Sequence, residues 1–291
     1  MSSILTNLSA MSAVANLSAT QAALATTQSQ ISTGLKVGSA EDNASYWSIA
    51  TSMRSDVGAL GAVSDSINLG QSVVTTAAQA VSSSIGILNQ MKDLVVTAQT
   101  AGQDPSTINT QLSQLQAQLQ SFSQTATFNG VNILAPSSAS TGDVFVVTSF
   151  SKDATGTVTV GSTDISLGTA LYNGGAGLLD GSSPLGTNIS TMTVGTDPTT
   201  LANQQQDLET AIGELTADAS KLGSIQSNLT AQTTFTQTLS DSLTSGVGSL
   251  VDANMNEAST RLNALQTQQQ LGIQSLSIAN SNSQLILKLF Q

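Results

Sequence analysis

Residues 60–95 read LGAVSDSINLGQSVVTTAAQAVSSSIGILNQMKDLV. Every seventh position is apolar: Leu60, Ile67, Val74, Val81, Leu88 and Val95. Such a repeat keeps one seam of a helix turned towards a partner. Much further along, Leu201, Leu208, Leu215, Leu222 and Leu229 repeat the pattern. Between the two strips, from about Pro136 to Pro198, the chain is rich in Gly, Thr and Ser. Two seams from opposite halves imply a chain that runs out and returns, bringing its ends together. The expected fold is mainly α: a long antiparallel helical coiled-coil bundle formed by both chain ends, with a small β-hairpin and loop segment in the middle. A rod with a tip suits construction more than catalysis.

The composition agrees with a narrow seam. Of 291 residues, 39% are apolar and 3% aromatic, so Ala and Leu must fill most of the core. Charged residues are 9%, against roughly 25% in an average protein. Soluble coiled coils usually line their flanks with Glu and Lys. Here Ser, Thr, Gln, Asn and Ala take those places. Either the helices hold without ion pairs, or much of their surface ends against other protein. The second reading is preferred, because small uncharged residues permit close approach on several sides.

Net charge is −11, and the seven Lys and Arg residues are scattered singly. No basic stripe exists to neutralise phosphates, which argues against nucleic-acid binding. No run of about 18 apolar residues occurs, so no membrane insertion is expected. The first residues lack the basic and apolar segments of a secretory signal peptide.

Catalytic chemistry is short of parts. The chain has no Cys and no His, which removes the commonest metal ligands and bases and any Ser–His or Cys–His nucleophile. Glu41 with Asp42, and Asp207 with Glu209, are acidic pairs, but they sit on polar stretches near helix starts, where carboxylates cap or are solvated. Gly174, Gly175 and Gly177 match no phosphate loop, since no Gly-Lys-Ser/Thr follows. Tyr46 and Trp47 read as packing residues. No enzyme activity, cofactor or metal is expected.

Element by element, a helix is expected over about 4–30, with Leu17, Leu24 and Ile31 on a heptad, ending near Gly34 and Gly38. Ser39 and Asp42 resemble a capping box. A long helix follows over about 43–101. Gly58, Gly61, Gly70 and Gly86 inside it are close-packing points or bends, each costing up to about 1 kcal/mol against Ala. Ile108, Leu112, Leu115, Leu119 and Phe122 mark the next helix, to about Thr127. Phe128-Asn129-Gly130-Val131 reads as a turn. The β-branched runs Val144–Val147 and Thr157–Val160 predict a hairpin, and loop is expected from Asn173 to Asp197. The return helix is expected over 199–243, with Phe235, Leu239 and Leu243 continuing its apolar face and Gly246 and Gly248 forming a joint. A last helix over 252–290 carries Leu271, Ile278 and Leu285 at heptad spacing. Leu262, Leu265, Ile273, Leu276, Ile286 and Leu289 widen its face beyond what one partner needs.

Three stretches carry a family resemblance. Ile31–Ala44, ISTGLKVGSAEDNA, resembles the joint between the inner and outer helical domains of bacterial flagellins. Phe128–Leu134, FNGVNIL, resembles that family's turn after its second core helix. Leu271–Asn280, LGIQSLSIAN, with Leu285–Phe290, is similar to its last helix. The likeness covers about 1–135 and 200–291.

The resemblance implies a structural subunit that polymerises into the bacterial flagellar filament. Residues 1–44 and 251–291 would form the inner coiled-coil domain, with Leu17, Leu24, Ile31, Leu271, Leu276, Ile278 and Leu285 in the assembly. Residues 45–135 and 200–250 would form the outer bundle, with Ile67, Val74, Val81, Leu88, Leu112, Leu115, Leu119, Leu208, Leu215 and Leu222 in its core. Residues 136–199 would be a short variable segment. Implied partners are other copies, hook-associated and cap proteins, the flagellar export apparatus and an export chaperone. The implied place is the extracellular filament, reached without a cleaved signal peptide. In many flagellins an Arg and a Glu on the long outer helix face a Toll-like receptor; Gln90 and Asp93 stand at those places here. Two other readings stay open: a hook–filament junction protein, and a secreted coiled-coil adhesin or effector.

Overall fold

A computed structural model of the chain describes residues 7–100, 102, 104–135, 144–153, 155–167, 171, 177–179 and 188–289, with side chains as far as Ser281. Among them are five α-helices and one antiparallel pair of strands: α1 (Leu8–Thr33), α2 (Ala44–Ala98), α3 (Pro105–Thr125), β1 (Phe145–Lys152), β2 (Val158–Asp164), α4 (Pro198–Val251) and α5 (Met255–Leu289). Contacts divide the chain into two compact units. One combines residues 1–57 with 241–291; the other is residues 58–240. The loop expected around Asn173–Gly175 and the linker at Ser137–Thr141 lie outside the described residues.

The second unit is built on the two heptad strips. Side-chain hydrogen bonds join Gln71 to Thr230, Gln226 to Thr75 and Gln99 to Gln205, and Lys92 pairs with Glu209 at 2.8 Å. Each step down α2 is a step up α4, so the helices are antiparallel. Ile67, Val74, Val81, Leu88 and Val95 are fully buried, and so are Leu208, Leu215, Leu222 and Leu229. Leu112 and Leu119 of α3 join them in one core, with Leu115 half-buried against it. Fully burying one such side chain contributes about 1.5–3 kcal/mol. The half-exposed Lys92–Glu209 pair contributes at most about 1 kcal/mol. Apolar seams, not ion pairs, hold the unit.

The next heptad place after Leu229 is Thr236, which is buried, whereas Phe235 points outward. The expected continuation through Phe235 is therefore corrected. One residue turns a helix by about 100°, and the seam keeps its period at the expense of hydrophobicity.

Asp104 caps α3 by accepting from the Ser106 amide, with Pro105 in the first turn, where its missing N–H costs nothing. The turn after α3 has Asn129 at φ 49° and Gly130 at φ 81°, and Phe128 and Val131 exchange both backbone hydrogen bonds at 2.9 Å. The hairpin pairs Phe145 with Asp164 through Lys152 with Val158, with an irregularity between Val147 and Ser149. Its inner residue Val146 lies against α2 at Gly70: a Cβ on that glycine would sit 2.5 Å from a Val146 methyl. Gly70 is a close-packing point, while Gly58, Gly61 and Gly86 face open space.

Amide side chains fasten the chain on either side of the middle segment. Asn132 donates to the Ser123 carbonyl and accepts from the Leu134 and Ala135 amides. On the return side, Asn109 donates to the Val194 carbonyl and accepts from its amide. Gln116 donates to the Ile189 and Met192 carbonyls, and Gln204 to that of Thr193.

In the first unit α1 starts at Asn7, whose side chain accepts from the Ala10 amide, and ends at Gly34 in the left-handed conformation. The capping-box reading of Ser39 and Asp42 is corrected. Asp42 accepts from the Gly38 and Ser39 amides and the Ser39 hydroxyl, closing a tight loop. Asn43 caps α2 instead, accepting from the Tyr46 amide. The joint expected at Gly246 and Gly248 is also corrected, since α4 continues to Val251. Gly246 leaves room for Met53, whose Cε would be 2.9 Å from a Cβ there. The break falls at 252–254, where Asn254 accepts from the Asn256 and Glu257 amides.

Candidate functional site

In the first unit, most of the exposed large apolar residues lie on α1 and α5. These helices run antiparallel. The Asn7 side chain donates to the Ala279 carbonyl at 2.9 Å, and Gly272 lies beside Leu17, 3.3 Å from where a Cβ would be. At the other end of the pair Leu35 bridges Asp252, and the Lys36 and Ala253 amides donate to the carbonyls of Val251 and Gly34.

That pairing consumes little of the apolar surface. Leu17, Leu24 and Ile31 are half-buried, as is Leu276; Leu271 and Ile278 are exposed, Ile278 at 61%. The Leu285 side chain lies outside the described residues. Leu8, at 79% exposure, Met11 and Val14 also face outward. Heptad reading passed over these three, because they fall off the Leu17–Leu24–Ile31 repeat; their spacing of three was the available signal. Two helices that touch along a line cannot cover faces this wide, so the pair presents apolar area to something outside the chain.

Charge does little to oppose that. Beside this surface, Asp42 is the acid with a resolved shift: hydrogen bonds from the Ser39 and Gly38 amides hold its carboxyl below its ordinary value. In the second unit, burial raises the Asp218 carboxyl against the pull of Lys221. The Ser166 hydroxyl and amide lower Asp164, while Lys221 donates to the Ser166 carbonyl at 2.7 Å, tying α4 to the end of the hairpin. Gln90 and Asp93 are exposed on α2. They line a groove against α3 with Leu94, Gln111, Gln114 and Gln118.

Residues 4–139 match the family model for the bacterial flagellin N-terminal helical region, and residues 205–290 that for the bacterial flagellin C-terminal helical region. The chain belongs to the bacterial flagellins. Similarity to flagellin C of Rhizobium meliloti (strain 1021) is 41% identity, covering all of both chains; to flagellin of Brucella melitensis biotype 1 it is 40%, again over all of both. Flagellin A of Rhizobium meliloti (strain 1021) is 36% identical over an alignment of 394 positions, longer than the 291 residues here. This flagellin is a structural subunit of the flagellar filament, outside the cell. No helix among its described residues is long and apolar enough to cross a membrane.

Proposed function

We propose that this flagellin forms the body of the filament through α1 and α5, with residues 1–44 and 251–291 as the inner coiled-coil domain. Residues 45–135 and 200–250 form the outer bundle, and 136–199 a short variable segment. One observation carries the reading: large apolar residues of the terminal pair face outward while the seam of residues 58–240 is sealed. Ordering a residue costs about 1–2 kcal/mol of backbone entropy. Burial between copies is the term that offsets it for the terminal helices. Leu17, Leu24, Ile31, Leu271, Leu276, Ile278 and Leu285 take part in that burial.

The same reading brings partners. Hook-associated and cap proteins meet the ends of the polymer. The export apparatus and an export chaperone handle the unfolded chain. Gln90 and Asp93 face the innate receptor weakly, since an amide lacks the charged five-donor fork of an Arg.

Purified monomer, seeded with filament fragments and followed by electron microscopy, tests the function. Elongation from the seeds is the expected result. Capping without growth would identify a junction protein, and inert monomer that adheres to surfaces would identify an adhesin.

A further inference from the structure

The first turns of α2 carry an apolar arc that their intramolecular partner does not cover. At about 100° per residue, Trp47, Ala50, Tyr46, Met53 and Ile49 span about 160° of the helix. Only the middle of that arc is covered within the unit: Ala50 is buried, and Met53 half-buried, against Val247, Val251 and Leu250 of α4. The flanks are open. Trp47 is 37% exposed on one side and Ile49 is 49% exposed on the other, while Tyr46, in line with the covered middle but one turn nearer the helix start, is 44% exposed. Sequence reading made Tyr46 and Trp47 packing residues, yet within one chain they are left at the surface.

This is an expensive place to leave aromatics. The chain has nine, and Trp47 is its single Trp. Aromatic residues lose little rotamer freedom for the area they bury, which is why Trp and Tyr dominate interface hot spots. No charged residue occurs from Asn43 to Met53, and the intervening positions are Ser45, Ser48, Thr51 and Ser52, small enough for a helix to approach closely. Arg54 is the first charge, two turns after Trp47, where the rim of a buried patch would lie.

We propose that this arc is an interface between copies of the chain, with each open flank of α2 receiving a helix of a different neighbouring subunit. The inference rests on the filament reading and extends it to a surface apart from α1 and α5. A second copy fits better than a charged partner, because the patch offers no charge to complement. A polymer of identical copies also supplies neighbours on both sides of one helix. The patch belongs to the same unit as the exposed faces of α1 and α5, so burial there continues the assembly surface.

The single Trp makes the test direct. Full-length monomer and pelleted, seeded filaments are compared by Trp emission and acrylamide quenching. The expected result is emission shifted to shorter wavelength and weaker quenching in the filament. Trp47→Ala and Ile49→Ala each raise the critical concentration for growth by about tenfold or more, a loss in the hot-spot range, while helix content by circular dichroism stays at the unmodified level. Pelleted filaments with monomer-like emission and quenching would overturn the interface and leave the filament reading standing. So would either Ala variant growing at the unmodified critical concentration. Failure of the unmodified chain to form any filament would overturn both. Burial of Trp47 in a complex with another protein, with none in the filament, would assign the patch to that partner and refute the proposal.

Discussion

Gly70→Ala separates close packing from simple helix propensity. A Cβ at this position would lie 2.5 and 2.7 Å from the two Val146 methyls and 3.1 Å from the Val146 Cβ. Carbon atoms prefer about 3.5–4.0 Å. Val146 is buried and β-branched, so it cannot swing aside, and the hairpin must retreat by about 1 Å. Overpacking of that kind costs about 1–3 kcal/mol. Replacing a helical Gly with Ala returns about 1 kcal/mol, leaving a net loss of up to about 2 kcal/mol. Gly86, in the same helix, has nothing within 4 Å of its Cβ position, so Gly86→Ala gains about 0.5–1 kcal/mol. At about 2–4 °C per kcal/mol for a unit of this size, the two melting temperatures move in opposite directions. Thermal unfolding of monomer by circular dichroism reads both. In a Val146→Ala background the Gly70→Ala penalty shrinks, because the two methyl clashes go and only the 3.1 Å approach to the Cβ remains, which isolates the pair. A Gly70→Ala protein stabilised as much as Gly86→Ala would refute the reasoning.

Leu215→Ala removes a fully buried residue from the seam and is expected to cost about 2–5 kcal/mol in urea titrations. A loss under 1 kcal/mol would mean the seam is not the core. Leu276→Asp, on half-buried α5 surface, is expected to stop filament growth from seeds while the melt of residues 58–240 in the monomer stays unchanged, because a carboxylate buried between subunits lacks a partner; normal filaments would remove α5 from the assembly. Acid acts with two signs. Asp42, Asp153 and Asp197 have carboxyls lowered by hydrogen bonds, so their stabilisation is present above the ordinary carboxylate pKa and lost as pH falls through their folded values. Burial raises Asp218, so its penalty is present at neutral pH and is relieved by acid. Asp218→Asn is therefore expected to raise the melting temperature at pH 7 and to lose that advantage in acid, and an unchanged difference across pH would contradict the assignment.

The bundle was legible in the sequence because its cause is periodic and local. Val74, Val81 and Leu88 needed no knowledge of their partner to be placed on a seam. The turn at Asn129-Gly130 was legible for the same reason, since few residues accept positive φ. The misread points are those decided by neighbours distant in sequence. Gly246 looks like a helix end, but a cost of about 1 kcal/mol yields to the continuous helix ladder and to Met53 filling its space. Ser39 looks like a cap, but its hydroxyl donates to Asp42 and the cap falls four residues later, at Asn43. The exposed apolar surface of the first unit was legible only in part. Leu8, Met11 and Val14 follow no heptad, and exposure of Trp47 is decided by how little of α2 a single α4 can cover.

The amide fastenings at Asn132 and at Asn109, Gln116 and Gln204 have a consequence for what the molecule can carry. They grip backbone at 134–135 and 189–194, and backbone is the same whatever side chains lie between. Loop closure costs only about 0.6 kcal/mol more for each doubling of length. Residues 140–204 are also the stretch that falls between the two family matches. The bundle thus clasps the ends of the segment by backbone alone, while Val146, Ile165, Leu171, Leu178 and Leu179 between them pack into its core. A passenger peptide or small domain spliced into the exposed hairpin end beside Gly156 would leave those contacts in place and be repeated once per subunit, turning a swimming appendage into a display scaffold.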